Sequence, residues 1–350
     1  MGTERAVDVV VIGAGPARLA SAYHLGGYGF VPGDGFVVLD HAPAPGGAWQ
    51  HRWPSLSLDA VHGVHELPGM PVPDMNPASP ARQAIPDYFA RYERSLGLPV
   101  HRPVDVTAVR YGPGDRLLVE TGTDRWSARA VVNATGTWER PFVPYYPGRE
   151  AFRGRQLHTA DYRDAAEFAG RHVVVVGGGA SATQLLAEVS EVTTTTWVTR
   201  RPPVYRDGPF SEELGRAAVA EIDRRVRDGL PPGSVVSATG LVAGPRVRAA
   251  IERGALRRRP MFTRITPTGV AWADGREVAA DVILWCTGFR PALEHLAPLG
   301  LRERTGRFRV VDTRVVREPR LYLVGYGPSA STIGANRAGR TAARQVRDLL

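Results

Sequence analysis

The sequence predicts an α/β fold made of two parallel-sheet units, with the second unit inserted into the first. A largely apolar run at residues 7–12 is followed by glycines and an apolar helical pattern, and residues 172–176 begin the same order again. Short apolar runs of this kind are typical of parallel strands that are covered on both faces. We therefore expect a strand–glycine–helix unit to occur twice.

The length and the apolar runs of the chain set broad limits on the protein class. The 350 residues suit two domains rather than one. The apolar runs are far shorter than the ~20 residues that cross a bilayer, and no apolar signal segment stands at the N-terminus. We therefore expect a cytoplasmic protein with no membrane partner.

Residue usage excludes several kinds of chemistry. Cys286 is the only cysteine, so the chain can form no intramolecular disulfide, no Cys-based metal site and no C-x-x-C redox pair. All 44 residues counted as Lys or Arg are arginine, which excludes a lysine nucleophile or Schiff base. The formal net charge is +9, but the arginines are scattered along the chain, so we expect no nucleic-acid partner.

The first glycine turn has two of the three glycines of a G-x-G-x-x-G pattern. Gly13 would allow the tight turn, and Gly15 would let the backbone approach a pyrophosphate at the helix N-terminus. Pro16 and Ala17 would complete this turn, and we expect the helix from about Leu19. Arg18 stands where the third glycine normally permits close packing, and we expect its side chain to cause strain unless it points outward.

The next strand, at residues 36–39, supports a dinucleotide site in this first Rossmann-like unit. Asp40 ends the strand, where an acid can accept hydrogen bonds from a ribose and reject a 2′-phosphate. The alternative is that Asp40 caps the strand end. A glycine pair at residues 46–47 follows Asp40, and the residues Gly47, Ala48 and Trp49 would approach the flavin side of FAD.

The second glycine turn fits G-x-G-x-x-A, through Gly177, Gly179 and the alanine at position 182. Ala180 and Ser181 would open the following helix, whose free N–H groups would face a second pyrophosphate. This unit therefore predicts a second Rossmann-like dinucleotide site.

The strand at residues 195–199 ends in Thr199, Arg200 and Arg201 rather than in an acid. An arginine can pair with a 2′-phosphate through two hydrogen bonds and can stack on adenine. The second site therefore indicates NADPH rather than NADH. The alternative is that both arginines are solvated loop charges.

The segment between the two glycine turns reads F-R-G-R-Q-L-H-T-A-D-Y at residues 152–162. It resembles the F-x-G-x-x-x-H-x-x-x-(F/W/Y) fingerprint of flavin-containing monooxygenases, including the short bacterial and Baeyer–Villiger-related members. The segments at Gly136 and at Thr287–Gly288 are similar to the two Thr-Gly hinges that link the domains of that family. The resemblance covers nearly the whole chain.

The resemblance implies an FAD-binding domain of residues 1–150 and 286–350, with an NADPH-binding domain of residues 151–285 inserted into it. It implies that NADPH reduces FAD and that O₂ then forms a C4a-peroxyflavin, which oxygenates a sulfur, nitrogen or ketone centre of a small molecule. It requires no metal, and a homodimer is the family-level expectation. Because the cofactor carries the chemistry, the protein needs no acid–base pair.

His158 and Asp59 are the two candidate catalytic residues. His158 belongs to the fingerprint on the interdomain linker, where a structural role is the favoured interpretation. Asp59 lies in a loop that we expect near the flavin, where it could shape a polar pocket with His62, His65 and Glu66. The alternative is a solvated loop, and no spacing in this loop indicates a metal site.

The C-terminal segment predicts a strand at residues 321–324 and a final helix. In flavoproteins with two dinucleotides such a helix returns to the flavin, so Gly325 and Asn336 are candidate FAD contacts. Residues 204–261, with a helix at residues 211–227, would shape the route of the substrate.

Two alternative functions remain open from the sequence alone. One is an FAD/NADPH oxidoreductase or NADPH oxidase that inserts no oxygen. The other is a nucleotide-binding protein without catalysis, which would follow if Arg18 weakens FAD binding.

Overall fold

The computed structural model describes most of the chain, namely residues 3–13, 15–61, 63–122, 124–206, 212–227, 240–329 and 332–350. His62, which was predicted to shape the pocket with Asp59, lies outside the described residues. So does Ser211, the predicted first residue of a helix.

The described strands, in chain order, are β1 (Glu4–Ile12), β2 (Phe36–Leu39), β3 (Val100–His101), β4 (Val106–Tyr111), β5 (Leu117–Thr121), β6 (Arg125–Asn133), β7 (Arg155–His158), β8 (Val173–Val176), β9 (Thr195–Thr199), β10 (Tyr205–Arg206), β11 (Leu241–Val242), β12 (Arg258–Pro260), β13 (Arg264–Thr266), β14 (Gly269–Ala271), β15 (Glu277–Ala279), β16 (Val282–Trp285), β17 (Val310–Val311), β18 (Arg314–Val315) and β19 (Glu318–Leu323). The described α-helices are α1 (Pro16–Gly27), α2 (Ala81–Ser95), α3 (Ala180–Val189), α4 (Glu212–Arg227), α5 (Pro245–Glu252) and α6 (Thr332–Leu349).

The first sheet takes its strands from both ends of the chain. Its order is β17-β18-β19-β6-β1-β2-β3, and the antiparallel hairpin of β4 and β5 joins it at β6. The central pairs of β1 with β2, of β1 with β6 and of β6 with β19 are all parallel. The C-terminal strand β19 therefore completes a sheet that the N-terminal strand begins.

The second sheet is wholly parallel, in the order β12-β9-β8-β16-β7. All four residues of β8 are buried. Helix α3 packs on one face of this sheet, and the antiparallel strands β13, β14 and β15 pack on the other. The predicted strand–glycine–helix unit therefore occurs twice, and the α/β prediction is confirmed.

Helix α1 begins earlier than the apolar pattern alone indicates. The sequence predicted a start near Leu19, whereas the helix begins at Pro16. Proline suits the first helical position, because its fixed φ fits the helix and its missing N–H would have no partner there. The glycine turn and the helix N-terminus are therefore directly adjacent.

Two connections cross between the sheets side by side, and both carry a Thr-Gly pair. We call residues 134–142 the first hinge and residues 286–292 the second hinge. Three backbone hydrogen bonds join them, donor first: Phe142 to Gly288 (2.9 Å), Arg290 to Arg140 (2.7 Å) and Ala292 to Gly136 (3.0 Å).

Among the described helices, none is long and apolar enough to cross a membrane.

Helices α1 and α6 pack against one another, and Gly339 of α6 permits their close approach. A Cβ atom at Gly339 would lie 2.8 Å from the Cβ of Ala20 and 2.8 Å from the backbone nitrogen of Ser21. Since backbone atoms of α1 cannot give way easily, this contact requires glycine.

We predict that Gly339→Ala lowers the free energy of unfolding by about 1–3 kcal/mol through overpacking. Gly26→Ala in α1 is the matched control, because a Cβ there meets nothing within 4 Å. Helix propensity favours alanine by up to ~1 kcal/mol, so the control should be neutral or stabilised. Urea unfolding followed by tryptophan fluorescence measures both, and equal effects would contradict the packing argument.

Candidate functional site

The first glycine turn rests on the first hinge. Gly13 has a φ of +118°, and a Cβ there would lie 2.3 Å from the carbonyl oxygen of Ala134. At Gly15, by contrast, a Cβ would meet nothing within 4 Å. Gly15 is the N-cap of α1 and offers no side-chain hydrogen bond, so the first N–H groups of the helix stay available. This open helix N-terminus fits an anionic phosphate group.

The second glycine turn repeats this arrangement on the second hinge. Gly177 has a φ of +139°, and a Cβ there would lie 2.3 Å from the carbonyl oxygen of Cys286. Gly179 has open space around it and is the N-cap of α3, again with no side-chain hydrogen bond. Ala180 and Ser181 form the first, half-buried turn of α3.

Arg18 does not point outward, contrary to the expectation from the sequence. Its side chain is fully buried, and Nη1 donates to the carbonyl oxygen of Gly13 at 2.6 Å. The guanidinium lies 3.1 Å from Asp40 and 2.7 Å from Glu93. Arg102 binds the same two carboxylates, at 2.5 Å and 2.6 Å. We call these four side chains the buried charge network.

The carboxylates of the network offset the unfavourable desolvation of the Arg18 guanidinium. Burial lowers the pKa of Arg18, whereas the carboxylates of Asp40 and Glu93 raise it. A buried charge is tolerated when it is paired and hydrogen-bonded. The long side chain therefore fits at the third glycine position because it turns back beneath the glycine loop.

The ribose contact predicted for Asp40 is at odds with this geometry. Its side chain has no exposed surface; Oδ2 lies against Arg18 and Arg102, and Oδ1 accepts the N–H of Ala42 at 3.3 Å. In this structure both carboxylate oxygens of Asp40 are engaged within the protein, which favours a structural role at the strand end. The sequence placed an acid correctly at the strand end but could not identify its partners.

The C-terminal segment returns to the first glycine turn, as expected. A Cβ at Gly325 would lie 3.9 Å from the Cα of Gly136 and 4.0 Å from the Cβ of Ala17. Asn336 lies in α6 and donates from Nδ2 to the carbonyl oxygen of Glu66. Of the two candidate FAD contacts, Gly325 therefore lies beside the first glycine turn. Asn336 is hydrogen-bonded to the loop that precedes α2.

The glycine pair at residues 46–47 leads into a short 3₁₀ turn, Gly47–His51, that contains Ala48 and Trp49. Gly46 and Gly47 both have positive φ values, +124° and +52°, which glycine adopts at little cost. A Cβ at Gly46 would lie 2.7 Å from the ring of Pro86 in α2. Glycine at this position therefore lets the turn lie against α2.

The strand end at Thr199 turns back over the second glycine loop. The hydroxyl of Thr199 donates to the carbonyl oxygen of Arg201 at 2.7 Å and accepts from Nε of Arg258 at 2.6 Å. Arg200 and Arg201 are exposed, and Arg200 is close enough to Tyr146 to lower the pKa of that phenol against the larger effect of burial. Neither arginine has a carboxylate partner among the described residues.

His158 is buried and fixes the second hinge. Nδ1 accepts the N–H of Ala160 at 3.1 Å, so Nε2 carries the proton and donates to the carbonyl oxygen of Gly288 at 3.0 Å. Burial lowers its pKa, with smaller opposing effects from Gly288 and Asp161. This geometry is that of a positioning residue, in line with the structural interpretation.

Comparisons with known proteins agree with this geometry. The chain matches the model described as pyridine nucleotide-disulphide oxidoreductase over residues 10–227, more than half of its length. The flavin-containing monooxygenase from Stenotrophomonas maltophilia is 40% identical, with a TM-score of 0.84 over 99% of both chains. The chain belongs to the flavin monooxygenases of this family. A mutant of the Stenotrophomonas protein gives a TM-score of 0.86 at 41% identity, again over 99% of both chains.

A relative from rice, Oryza sativa subsp. japonica, extends the comparison. The indole-3-pyruvate monooxygenase YUCCA1 is 33% identical over 175 residues, which cover 49% of this chain and 42% of that protein. These matches confirm the resemblance inferred from residues 152–162, and the chain is an oxidoreductase with two Rossmann-like domains.

This flavin monooxygenase has no partner for a thiol–disulfide reaction. Cys286 is the only cysteine in the chain, and burial raises the pKa of its thiol to about 12. A reactive cysteine needs a thiolate and access to its partner. The disulphide chemistry in the family description therefore does not apply to this member.

Asp59 lies apart from the buried side chains of the site. It is exposed, within the 3₁₀ turn Leu58–Ala60, and accepts a hydrogen bond from the hydroxyl of Ser57. In the part of the chain that the structure describes, no group of three His, Cys, Asp or Glu residues could hold a metal ion. The structure thus adds no contact that favours a catalytic role for Asp59.

No sequence motif indicated the side chains that secure the first hinge. Nε2 of His295 donates to Oδ1 of Asn133 at 2.7 Å, and Nδ2 of Asn133 donates to Thr135 at 3.1 Å. The hydroxyl of Thr135 in turn donates to the carbonyl oxygen of Ala292 at 2.6 Å. Burial lowers the pKa of His295 to about 4, so the imidazole stays neutral at pH 7. These residues are far apart in sequence, which is why no motif revealed them.

An aromatic row lies beside the hinges, formed by His51, Trp138, Phe289 and His158. Trp138 stacks on Phe289 with ring centroids 4.9 Å apart and on His51 at 5.8 Å. His158 meets Phe289 edge-on at 4.9 Å. Phe289 directly follows Gly288 of the second hinge, and Trp138 lies two residues after Gly136 of the first, so the row marks the junction between the domains.

We predict that Arg18→Met destabilises the cofactor-free protein by about 3–5 kcal/mol, the usual cost of breaking a buried ion pair. The variant leaves two buried carboxylates with only Arg102. Arg110→Met is the matched control, since Arg110 pairs with Glu120 at the surface, where such pairs contribute about 0–1 kcal/mol. Urea unfolding measures the difference. A loss for Arg18→Met no larger than that of the control would contradict the buried charge network.

Proposed function

We propose that the protein is an FAD- and NADPH-dependent monooxygenase that oxygenates a sulfur, nitrogen or ketone centre of a small molecule. The observation that carries this proposal is the repeated open helix N-terminus, at Gly15 and at Gly179. Each presents free N–H groups and the positive end of a helix dipole, which favour a pyrophosphate. Two such sites in one flavin monooxygenase support two dinucleotides.

The proposed contacts divide between the two cofactors. The FAD contacts surround the first glycine turn, the Gly47–His51 turn and the C-terminal return: Gly13, Gly15, Pro16, Ala17, Gly47, Ala48, Trp49, Gly136, Gly325 and Asn336. The NADPH contacts surround the second glycine turn and its hinge: Gly177, Gly179, Ala180, Ser181, Thr199, Arg200, Arg201, Thr287 and Gly288.

The sheet topology supports the proposed domain boundaries, with an NADPH-binding domain of residues 151–285 inserted between residues 1–150 and 286–350. The strands of the first sheet come from residues 4–133 and 310–323, and those of the second from residues 155–285. The two hinges are the connections between these sets.

The overall reaction consumes one substrate, one O₂, one NADPH and one proton, and yields the oxygenated substrate, NADP⁺ and water. When bound, FAD would take a hydride from NADPH and activate O₂, which is chemistry that no side chain supplies. The residues of this chain bind, orient and shield. His158 holds the peptide of Gly288, and the aromatic row lies where the two hinges meet.

We expect the flavin-loaded protein to convert methyl phenyl sulfide to its sulfoxide with NADPH, with the oxygen derived from isotopically labelled O₂. Gly179→Val should abolish reduction by NADPH while leaving FAD bound, because the valine side chain fills the open position at the second helix N-terminus. Product, label and hydrogen peroxide are measured together. NADPH consumption that yields only hydrogen peroxide, with no labelled product, would identify an oxidase and contradict the proposal.

The double variant Arg200→Ala/Arg201→Ala should raise the KM for NADPH about 10–100-fold, since charge-assisted hydrogen bonds to the 2′-phosphate are lost. The KM for NADH should change less than about 3-fold, because NADH has no such phosphate. Arg248→Ala, at an exposed position of α5, is the control for loss of charge in the same domain. Equal changes in the KM values for NADPH and NADH would show that these arginines are solvated loop charges that do not bind the 2′-phosphate.

A further inference from the structure

Arg52 is a half-buried arginine without a counter-charge among the described residues. Its guanidinium lies over the ring of Trp49 at 5.3 Å and over the ring of Trp138 at 5.0 Å. Its Nε is shut off from solvent and has no hydrogen-bond partner. No carboxylate in the described part of the chain forms an ion pair with it. We call Arg52, Trp49 and Trp138 the arginine cage.

Arg18, which is fully buried, has the carboxylate partners that Arg52 lacks. Arg18 has Asp40 and Glu93 within ion-pair distance, whereas burial alone lowers the pKa of Arg52 to about 10, with no carboxylate opposing it. Arginine remains protonated at neutral pH. Aromatic faces attract a cation, but they leave the in-plane N–H groups of the guanidinium without acceptors. The cage therefore presents a fixed positive charge that lacks an anion.

The position of the cage favours a substrate rather than a structural partner. Trp49 belongs to the turn proposed to contact the flavin, and Trp138 belongs to the aromatic row where the two hinges meet. The nearest acid on that row, Glu139, is paired with His41 at 3.3 Å. Arg82 and Arg163 both lower the pKa of His51, after the larger effects of burial, Glu139 and His41, so both arginines lie near this end of the row.

We propose that the arginine cage binds the carboxylate of an apolar, monoanionic substrate, which is held with its oxidisable atom toward the domain junction. The planar fork of Arg52 matches a carboxylate through two parallel hydrogen bonds. A single guanidinium also balances a single negative charge, whereas a phosphate dianion would require a second cation in contact. The tryptophan rings provide apolar faces for the rest of the molecule. This inference rests on the proposed monooxygenase function and names the substrate class of that site.

The test compares two thioethers that differ only in charge, (phenylthio)acetate and (phenylthio)acetamide, with the flavin-loaded protein and NADPH. Arg52→Gln should lower kcat/KM for the acid about 10–100-fold, the loss expected for hydrogen bonds to a charged group. The same variant should change kcat/KM for the amide less than about 3-fold. Arg52→Lys keeps the charge without the fork and should recover part of the loss for the acid.

Arg129→Gln is the charge-matched control, because Arg129 pairs with Asp8 at the surface of the first sheet. It should leave the ratio of acid to amide unchanged. Equal losses of acid and amide in Arg52→Gln would overturn the carboxylate site. So would release of FAD from that variant, which would assign Arg52 to the cofactor.

A binding measurement separates this inference from the proposed function. Titration of the oxidised, flavin-loaded protein with (phenylthio)acetate should perturb tryptophan fluorescence and flavin absorbance saturably, and Arg52→Gln should abolish that response. If neither thioether is oxygenated by the unaltered protein, oxygenation at sulfur is excluded from the proposed function, and the titration alone decides on the carboxylate site. No saturable response in the unaltered protein would overturn the carboxylate site whatever the turnover assay shows.

Discussion

Two close backbone crossings of the same kind determine how this protein is assembled. Gly13 lies against the carbonyl of Ala134 and Gly177 lies against that of Cys286, with room for no side chain at either place. Ala134 and Cys286 directly precede the Thr-Gly pairs of the two hinges. Each glycine turn is therefore seated on a hinge. Since the hinges are hydrogen-bonded to one another, the two turns belong to one continuous backbone framework.

Arg18, which is fully buried, and Arg52, which is half-buried, have opposite surroundings. Arg18 is surrounded by carboxylates and helps to hold the first glycine turn, β2 and α2 together, which is a structural use of charge. Arg52 lies over two tryptophan rings, and its Nε has no hydrogen-bond partner. A buried charge is costly to desolvate, and only a partner recovers that cost. Arg18 has its partners within the fold, whereas the proposed partner of Arg52 is the carboxylate of a substrate.

Much of the fold could be predicted because its signals are local. An apolar run, a glycine turn and a helical pattern lie within about twenty residues of one another, and the physics of strand burial and helix N-termini decides their structure at short range. The hinge segments and the fingerprint around His158 were also found, since each is a compact motif. The same reasoning misjudged Arg18, because the space beneath a glycine turn depends on elements that no local pattern describes.

The sequence by itself determined the α/β class, the two repeated turns, the exclusion of disulfide chemistry and the family. Only the tertiary structure decided which side chains surround those turns. Arg18 meets Glu93 across 75 residues of sequence, and Asp40 meets Arg102 across 62, so the ribose role of Asp40 could not be judged in advance. The arginine cage likewise depends on Trp138, which the first hinge brings to Arg52. Charges and rings act through space, and their partners are fixed only once the chain has folded.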